Sequence, residues 1–304
     1  MSAGKKMKKV TIIGTGLIGC SAGMALRKNG YIVTGYDNSK HNLKVAQEIG
    51  AIDNIKHCSY EATEMSHAMI ITIPVDDIIR LLPRFLDFIP EDSLIIDAGS
   101  TKVTICKSIS NHPKRHAFVA SHPMAGTEHS GPAMATQDLF YNKNVVICEK
   151  ELSSSKALGV AEELFTNMGM NIIYLSPQDH DMTAALVSHL PQILAYLYAG
   201  MPEFTNEKKQ YWQKLAAGGF DSFTRLAHSA PEIWLPILSQ NKEFITNILY
   251  SLSKSMALFA EKLEEDNLNY IEQVIKKARI VRENYKAHKD NYTKNSINKY
   301  TEKL

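Results

Sequence analysis

Short apolar runs alternate with longer stretches of helical periodicity through the first part of this chain. Apolar runs bounded by turn residues predict buried strands, whereas apolar residues three and four positions apart predict amphipathic helices. The predicted strands are Val10–Ile13, Tyr31–Tyr36, Ala68–Ile73, Leu94–Ile96, Ala117–Ala120, Val145–Ile147 and Asn171–Leu175. The predicted helices between them are Leu17–Leu26, Ser39–Ile49, Asp77–Phe88 and Ser153–Met168. This alternation indicates an α/β domain built on a doubly wound parallel sheet.

After residue 176 the periodicity becomes helical throughout. Asp181–Ala199 carries an apolar stripe, and further stripes run over residues 245–263 and 268–278. Stripes of this length need a surface to pack on, and we expect a second subunit to supply it. The sequence therefore predicts a dinucleotide-binding domain at 1–175, an all-helical domain at 176–304 and a homodimer.

Composition narrows the class of protein. The 304 residues are 44% hydrophobic and 22% charged, which is typical of a globular protein with room for two domains. No run of 18 apolar residues occurs, so we expect no membrane contact. The four cysteines have no Cys-x-x-Cys spacing, which favours a reducing compartment and argues against a metal site. We expect a cytoplasmic location.

Both ends of the chain are basic. Lys5, Lys6, Lys8 and Lys9 precede an apolar run that ends at Cys20, as in a lipoprotein signal, but Gly14 and Gly16 interrupt it, so we expect no export. From residue 276 onward nine Lys or Arg face three Asp or Glu, in a chain of net charge +2. Such a tail can contact nucleic acid or a membrane, but no nucleic-acid-reading motif accompanies it, and we expect a solvated helix end.

A glycine turn follows the first predicted strand. Gly14-Thr-Gly-Leu-Ile-Gly19 opens a helix, and Asp37 follows eighteen residues after Gly19 at the end of the second strand. Gly14, Gly16 and Gly19 let the backbone approach a pyrophosphate, while Leu17 and Ile18 begin the helix whose N-terminus attracts its charge. Asp37 suits a ribose 2′-hydroxyl and repels a 2′-phosphate, so NAD is favoured over NADP. A turn needed only for packing is the alternative.

Candidate reacting residues follow two later strands. Ser100, within Asp97–Lys102, either donates to a substrate hydroxyl or caps the following helix. His122 lies just past a strand end, before a loop that contains Thr127 and Glu128. A histidine at a strand end beside hydroxyl and carboxyl groups is a candidate base.

Two further candidates lie in the helical half. His189 is on the inward face of its predicted helix, as either a core histidine or a ligand contact. Arg225 ends Gly218–Arg225, which we expect to be a loop leading into a helix. Its guanidinium suits a carboxylate, although a surface salt bridge is the alternative.

Six segments together carry a resemblance to a known family. They are Gly14–Gly19, Asp97–Lys102, His122–Gly131, Ser188–Pro191, Gly218–Arg225 and Pro231–Trp234. In this order they resemble prephenate dehydrogenase of tyrosine biosynthesis, including its arogenate-using relatives. The resemblance implies a Rossmann domain, a helical dimerisation domain and NAD-dependent oxidative decarboxylation of prephenate to 4-hydroxyphenylpyruvate. We expect neither the ACT domain nor the chorismate mutase domain that often accompanies the family.

The resemblance also implies residue roles. It makes His122 the catalytic group at the ring 4-hydroxyl, Ser100 its hydrogen-bonding helper and His189 a residue beside the nicotinamide and the substrate. Arg225 becomes a carboxylate anchor, and Thr127 and Glu128 line the substrate pocket.

Two departures from the family pattern affect the predicted substrate contacts. Asp221-Ser222 stands where a basic residue and Asp are common, and Gln192 stands where a second His is frequent. Arogenate dehydrogenase, which gives tyrosine directly, is the alternative enzyme, because its substrate differs from prephenate only by an amino group on the side chain. A hydroxyacid dehydrogenase would need a catalytic lysine near His189, and none stands out. A non-catalytic NAD-binding regulator is the alternative from another class.

Overall fold

The computed structural model describes residues 8–57, 66–127, 129–205 and 210–301, and a sheet of eight strands organises the first part of them. In chain order the strands are β1 (Lys9–Ile13), β2 (Ile32–Tyr36), β3 (Asn54–Ile55), β4 (Ala68–Ile71), β5 (Leu94–Asp97), β6 (Phe118–Pro123), β7 (Asn144–Cys148) and β8 (Asn171–Leu175). Their spatial order is β3-β2-β1-β4-β5-β6-β7-β8. The order reverses beside β1, and in such sheets ligands bind at that reversal, outside the carboxyl ends of the strands.

The expected parallel sheet is confirmed as far as β6 and departs from expectation at β7. Strands β1 to β6 pair in parallel, whereas β7 pairs antiparallel with β6 and parallel with β8. Residues 124–143 join β6 to β7 with only a 3₁₀ turn, Pro132–Met134, in the described part of the connection. Without a crossover helix to carry the chain back across the sheet, β7 returns alongside β6 in the opposite direction.

Helices cover both faces of the sheet because alternate strand residues point to opposite sides. Ile12 and Ile70 enter one buried cluster with residues of α1 and α5, and Ile13 and Ile71 enter a second with residues of α3 and α4. The helices are α1 (Leu17–Lys28), α2 (Lys40–Glu48), α3 (Val75–Phe88), α4 (Val103–Ser108), α5 (Ser155–Asn167), α6 (Pro177–Ala184), α7 (Leu190–Thr205), α8 (Gln210–Leu215), α9 (Gly218–Thr224), α10 (Pro231–Gln240), α11 (Lys242–Glu264) and α12 (Leu268–Thr301).

Three predicted elements differ from the structure near the candidate residues. The helix expected at Asp181–Ala199 is divided by a π-helical turn, Ala185–His189, between α6 and α7. The loop expected at Gly218–Arg225 is wrong, because α9 begins at Gly218 and a 3₁₀ turn, Arg225–His228, follows it. His122 lies inside β6 rather than past its end, because β6 continues to Pro123.

The chain divides into two compact units, Met1–Ile245 and Thr246–Leu304. In the described part of the second unit, α12 exposes large apolar side chains, among them Leu268, Ile275, Ile280, Val281 and Tyr285. Within the described ranges no helix is both long enough and apolar enough to cross a membrane.

Candidate active site

The glycine turn between β1 and α1 combines two tightly packed glycines with one that faces open space. Gly14 has a φ of +95°, and a Cβ there would lie 2.8 Å from the carbonyl oxygen of Thr72. A Cβ on Gly19 would lie 2.0 Å from the Gly14 oxygen, whereas one on Gly16 meets no atom within 4 Å. Gly14 and Gly19 are thus required by the fold itself, and the space at Gly16 is where a ligand can approach the backbone.

The first turn of α1 and Asp37 complete this region. Gly16 caps α1 without a side-chain hydrogen bond, so the first N–H groups, beginning with those of Leu17 and Ile18, keep their affinity for an anion. One oxygen of Asp37 accepts from the Thr15 backbone at 2.7 Å and the other from the Ser39 backbone at 2.8 Å. Asp37 therefore also holds the turn in shape. These residues fit a dinucleotide: open backbone for the pyrophosphate, a helix N-terminus for its charge and a fixed carboxylate for the ribose.

A buried ion pair holds the ends of β5 and β6 together. Asp97 and Lys102 are both fully buried and bonded to each other, and the Lys102 Nζ also donates to the Ser121 carbonyl oxygen at 2.7 Å. The second Asp97 oxygen accepts from the Ser121 backbone at 2.9 Å. His122 follows Ser121 directly, so the Asp97–Lys102 pair fixes the backbone next to the candidate base.

His122 begins a chain of hydrogen bonds that ends on a carboxylate. Its Nδ1 lies 2.8 Å from His180 Nε2, and His180 Nδ1 lies 2.7 Å from Asp181 Oδ1. His180 and Asp181 come from α6 and are almost fully buried. The His122 Nε2 forms no hydrogen bond within the part of the chain that the structure describes.

Asp181 also caps α4, which rules out one of the two expectations for Ser100. Its carboxylate accepts from the Lys102 backbone at 2.7 Å and the Val103 backbone at 2.9 Å. The Ser100 side chain does not cap α4 and forms no hydrogen bond to the described residues. The capping interpretation is wrong, and the Ser100 hydroxyl at the end of β5 is left for another partner.

His189 joins this cluster from the π-helical turn. It is 1% exposed, and its Nδ1 lies 3.0 Å from the amide nitrogen of Asn241, which caps the C-terminus of α10. The same amide nitrogen donates to the Asp181 carbonyl oxygen at 2.8 Å. The ring of Trp234 meets that of His189 edge-on, with centroids 6.0 Å apart. The predicted inward position of His189 is confirmed.

The surroundings keep both histidines neutral at physiological pH. Burial, followed by the neighbouring His180, Lys102 and His189, lowers the pKa of His122 well below its usual value. Burial lowers the pKa of His189 to about 4, against an opposing effect of Asp181. A neutral imidazole can accept a proton, so His122 is in the protonation state that a base requires.

Arg225 is exposed and begins the 3₁₀ turn after α9. Gln192, which is almost fully buried on α7, donates its amide to the carbonyl oxygen of the next residue, Leu226, at 2.6 Å. Gln192 therefore stabilises the turn that contains Arg225. The position of Gln192 in the sequence did not reveal this role.

The remaining predicted pocket residues are only partly described. Thr127 is exposed, and its hydroxyl accepts from the His129 backbone at 3.2 Å within its own loop. Glu128 lies outside the described residues. Across the described ranges, no group of three or more His, Cys, Asp or Glu is arranged to hold a metal ion.

Sequence reasoning missed His180, Asp181 and Asn241, which connect the two predicted histidines. A signal existed for the first two: His180 and Asp181 lie four residues before Ala184 and Ala185, on the buried face of a helix. Two neighbouring polar side chains on such a face need hydrogen-bond partners. Asn241 gave no comparable signal, because an Asn at a helix C-terminus is ordinary.

Known family models match both parts of this chain. The family model of the prephenate dehydrogenase nucleotide-binding domain matches residues 22–174, and that of its dimerization domain matches residues 176–277. The chain belongs to the prephenate dehydrogenase family. The predicted resemblance, the enzyme class and the expected Rossmann and helical parts are confirmed.

Similar proteins include a prephenate dehydrogenase of Lactococcus lactis, 30% identical over 93% of this chain and 79% of that protein. A cyclohexadienyl dehydrogenase of Zymomonas mobilis is 29% identical over 80% of this chain and 84% of its own length. The structure of prephenate dehydrogenase from Aquifex aeolicus, in complex with hydroxyphenyl propionate and NAD+, superposes with a TM-score of 0.82 at 26% identity. It covers 92% of this chain and 98% of its own.

Proposed function

We propose that this member of the prephenate dehydrogenase family converts prephenate to 4-hydroxyphenylpyruvate by oxidative decarboxylation, with NAD as the oxidant. The observation that carries the proposal is the His122–His180–Asp181 chain, which leaves one ring nitrogen of His122 without a partner among the described residues, at the carboxyl ends of the strands. When bound, NAD supplies the acceptor for the hydride that leaves ring carbon C4. The glycine turn and Asp37 would hold it.

The hydrogen-bond chain sets the proton positions. The Asp181 carboxylate only accepts, so His180 carries its proton on Nδ1 and accepts at Nε2. His122 then donates from Nδ1, and its Nε2 keeps the lone pair. That nitrogen takes the 4-hydroxyl proton as hydride leaves the ring. The ring carboxylate departs as CO₂, its bonding electrons complete the aromatic ring, and the proton returns to the phenolate oxygen. Asp181, through His180, stabilises the transient imidazolium.

Other residues would position the substrate. The Ser100 hydroxyl, which has no described partner, suits a second hydrogen bond to the same 4-hydroxyl. Thr127 and Glu128 would line the pocket, and His189 would lie beside the reacting groups. Their roles rest on the family pattern together with the positions of the described side chains.

Arg225 is proposed as the carboxylate anchor. We expect Arg225→Ala to raise KM for the substrate by about tenfold or more with little change in kcat, because charge-assisted hydrogen bonds bind ground state and transition state alike. Steady-state kinetics at saturating NAD+ measures this. Arg279→Ala, on the exposed helix α12, is the control for loss of a surface arginine. A normal KM in Arg225→Ala would refute the anchor.

The choice of substrate requires a direct assay. We expect NADH formation with prephenate and NAD+, and weaker turnover with NADP+ because of Asp37. Arogenate is the second candidate, since the similar Zymomonas mobilis protein is a cyclohexadienyl dehydrogenase. Faster turnover of arogenate would replace prephenate in the proposal. Absence of turnover with both substrates and both cofactors would favour an NAD-binding regulator.

We also propose that the chain has two domains and forms a homodimer through the second. The division at 1–175 and 176–304 is supported by the two family models, which meet there, and the second is described as a dimerization domain. Exposed apolar residues on α12 suit a second copy of this chain. Light scattering would show a dimer, and a monomer at micromolar concentration would contradict it. The three described cysteines are unpaired and buried, which suits a reducing, cytoplasmic compartment.

A further inference from the structure

The amide nitrogen of Asn241 lies between two buried groups and decides the proton position on one of them. It is 2.8 Å from the Asp181 carbonyl oxygen and 3.0 Å from His189 Nδ1. A backbone carbonyl oxygen only accepts hydrogen bonds, so the atom facing it is the amide nitrogen and not the amide oxygen. The other hydrogen of that nitrogen then points at His189 Nδ1, which must accept. The proton of the neutral His189 ring is therefore on Nε2.

That Nε2–H group has no partner in the described part of the chain, although His189 is 1% exposed. Nε2 is not among the fully buried side-chain atoms that lack a partner, so this donor borders accessible space, where water or a ligand can pair with it. Asn241 links His189 to the backbone of Asp181, and His180 links the Asp181 carboxylate to His122, so both rings belong to one hydrogen-bonded cluster. The donor thus belongs to the same hydrogen-bonded cluster as the candidate base, and a ligand oxygen would complete its hydrogen bonding.

We propose that Asn241 is a positioning residue that holds His189 as an Nε2–H donor toward an oxygen of a bound ligand. The two histidines then hold opposite tautomers, both set by Asp181: its carboxylate acts on His122 through His180, and its carbonyl acts on His189 through Asn241. His122 is the proton acceptor and His189 is a donor that does not exchange its proton. The identity of the ligand rests on the proposed function. The tautomer of His189 does not depend on that function.

The acceptor oxygen comes either from the substrate or from the nicotinamide carboxamide, and Asn241→Asp distinguishes them. A carboxylate at this position accepts, so it draws the proton of His189 to Nδ1 and removes the Nε2–H donor. We expect kcat/KM to fall about tenfold, the usual effect of one lost hydrogen bond that leaves a buried group unpaired. A weaker NAD+ affinity, measured by quenching of protein fluorescence, would identify the carboxamide. An unchanged NAD+ affinity with a raised substrate KM would identify the substrate.

The matched control is Asn29→Asp. Asn29 also caps a helix C-terminus, and its amide nitrogen also donates to two acceptors, the carbonyl oxygens of Ala25 and Asn167, both at 2.9 Å. No histidine is among them. The same chemical change there should leave the kinetics at the wild-type level, so a loss confined to Asn241→Asp reports on His189 and not on a helix end.

Nitrogen-15 NMR of histidine-labelled protein tests the tautomer without any assay of activity. The His189 signals, assigned by their loss in His189→Gln, should show Nε2 protonated and Nδ1 unprotonated in wild type. Protonation on Nδ1 would overturn the proposal, as would an unchanged kcat/KM in Asn241→Asp. The wild-type spectrum remains decisive if that variant does not fold. The expected tautomer in a protein that turns over neither prephenate nor arogenate would refute the proposed function alone.

Discussion

The two halves of the site are built in opposite ways. The glycine turn comes from one segment, Gly14–Gly19, and its shape follows from backbone geometry that only glycine allows. The reacting cluster is assembled from β5, β6, α6, the π-helical turn and the end of α10, and its shape follows from buried polar side chains that satisfy one another. A local site of backbone atoms tolerates side-chain changes around it, whereas a dispersed network depends on each of its members.

The largest effect expected in this comparison comes from removing the base. We expect His122→Asn to lower kcat by about 10²–10⁴ while KM stays nearly constant, because a positioned base acts in the transition state and contributes about that factor. Single-turnover and steady-state measurements of NADH formation test this. His129→Asn removes a histidine from the neighbouring loop and serves as the control. An unchanged kcat in His122→Asn would remove His122 from its role.

A smaller effect on kcat, together with an effect on stability, is expected at Asp181, whose carboxylate bonds both to His180 and to the backbone at the start of α4. Asp181→Asn should lower kcat by about 10², since the base remains but loses the carboxylate that orients it. It should also destabilise the fold by about 1.5–3 kcal/mol, because its carboxylate accepts from two backbone N–H groups of α4.

Denaturant unfolding and kinetics on the same sample measure both effects. The control is Asp179→Asn, which neutralises an exposed carboxylate on the same helix. Wild-type stability in Asp181→Asn would show that the cap at α4 is dispensable and would separate the two roles assigned to this carboxylate.

In the cofactor half, two neighbouring glycines should respond differently. Gly14→Ala should destabilise the fold by about 1–3 kcal/mol, because a side chain at φ +95° is strained and its Cβ would contact the Thr72 carbonyl. Gly16→Ala should leave stability within about 1 kcal/mol of wild type, since its Cβ meets nothing, and should weaken NAD+ binding. Thermal unfolding and NAD+ titration compare them, and equal losses of stability would contradict this division of roles.

A gradual dependence of stability on pH is expected to belong to the reacting half. The pKa of His189 is about 4 in the fold, where burial dominates, and near 6.5 when unfolded. The unfolded chain therefore binds more protons between those values, and stability falls as pH drops from about 6.5 to 4, by about 3 kcal/mol at most. His189→Gln should flatten this slope in urea unfolding from pH 7 to 4.5. An unchanged slope would show that His189 is not buried in its neutral form.

Features that depend on neighbouring residues could be predicted from the sequence, whereas features that depend on contacts between distant segments could not. Seven of the eight strands, the glycine turn and Asp37 follow from short-range pattern and steric rules, and they were found, whereas the two-residue strand β3 is too short to leave a pattern and was missed. The π-helical turn that carries His189 was missed because one added residue hardly disturbs an apolar stripe. The reversed strand β7 was missed because pairing direction depends on how residues 124–143 run, and apolar runs contain no sign of direction. Asn241 was missed because its partners lie 52 and 60 residues away.

The π-helical turn has a mechanical consequence. In an uninterrupted α-helix, Asp181 and Gln192 would be eleven residues, or about three turns, apart and would face the same direction. The π-helical turn at Ala185–His189 contains one residue more than an α-helical turn. The extra residue rotates the side chains after it by roughly 100° around the axis, so Asp181 and Gln192 face different directions. One rod can thus present Asp181 to the carboxyl ends of the strands and Gln192 to the turn that bears Arg225. One continuous helical rod therefore connects the groups to which we assign proton transfer with those to which we assign substrate anchoring.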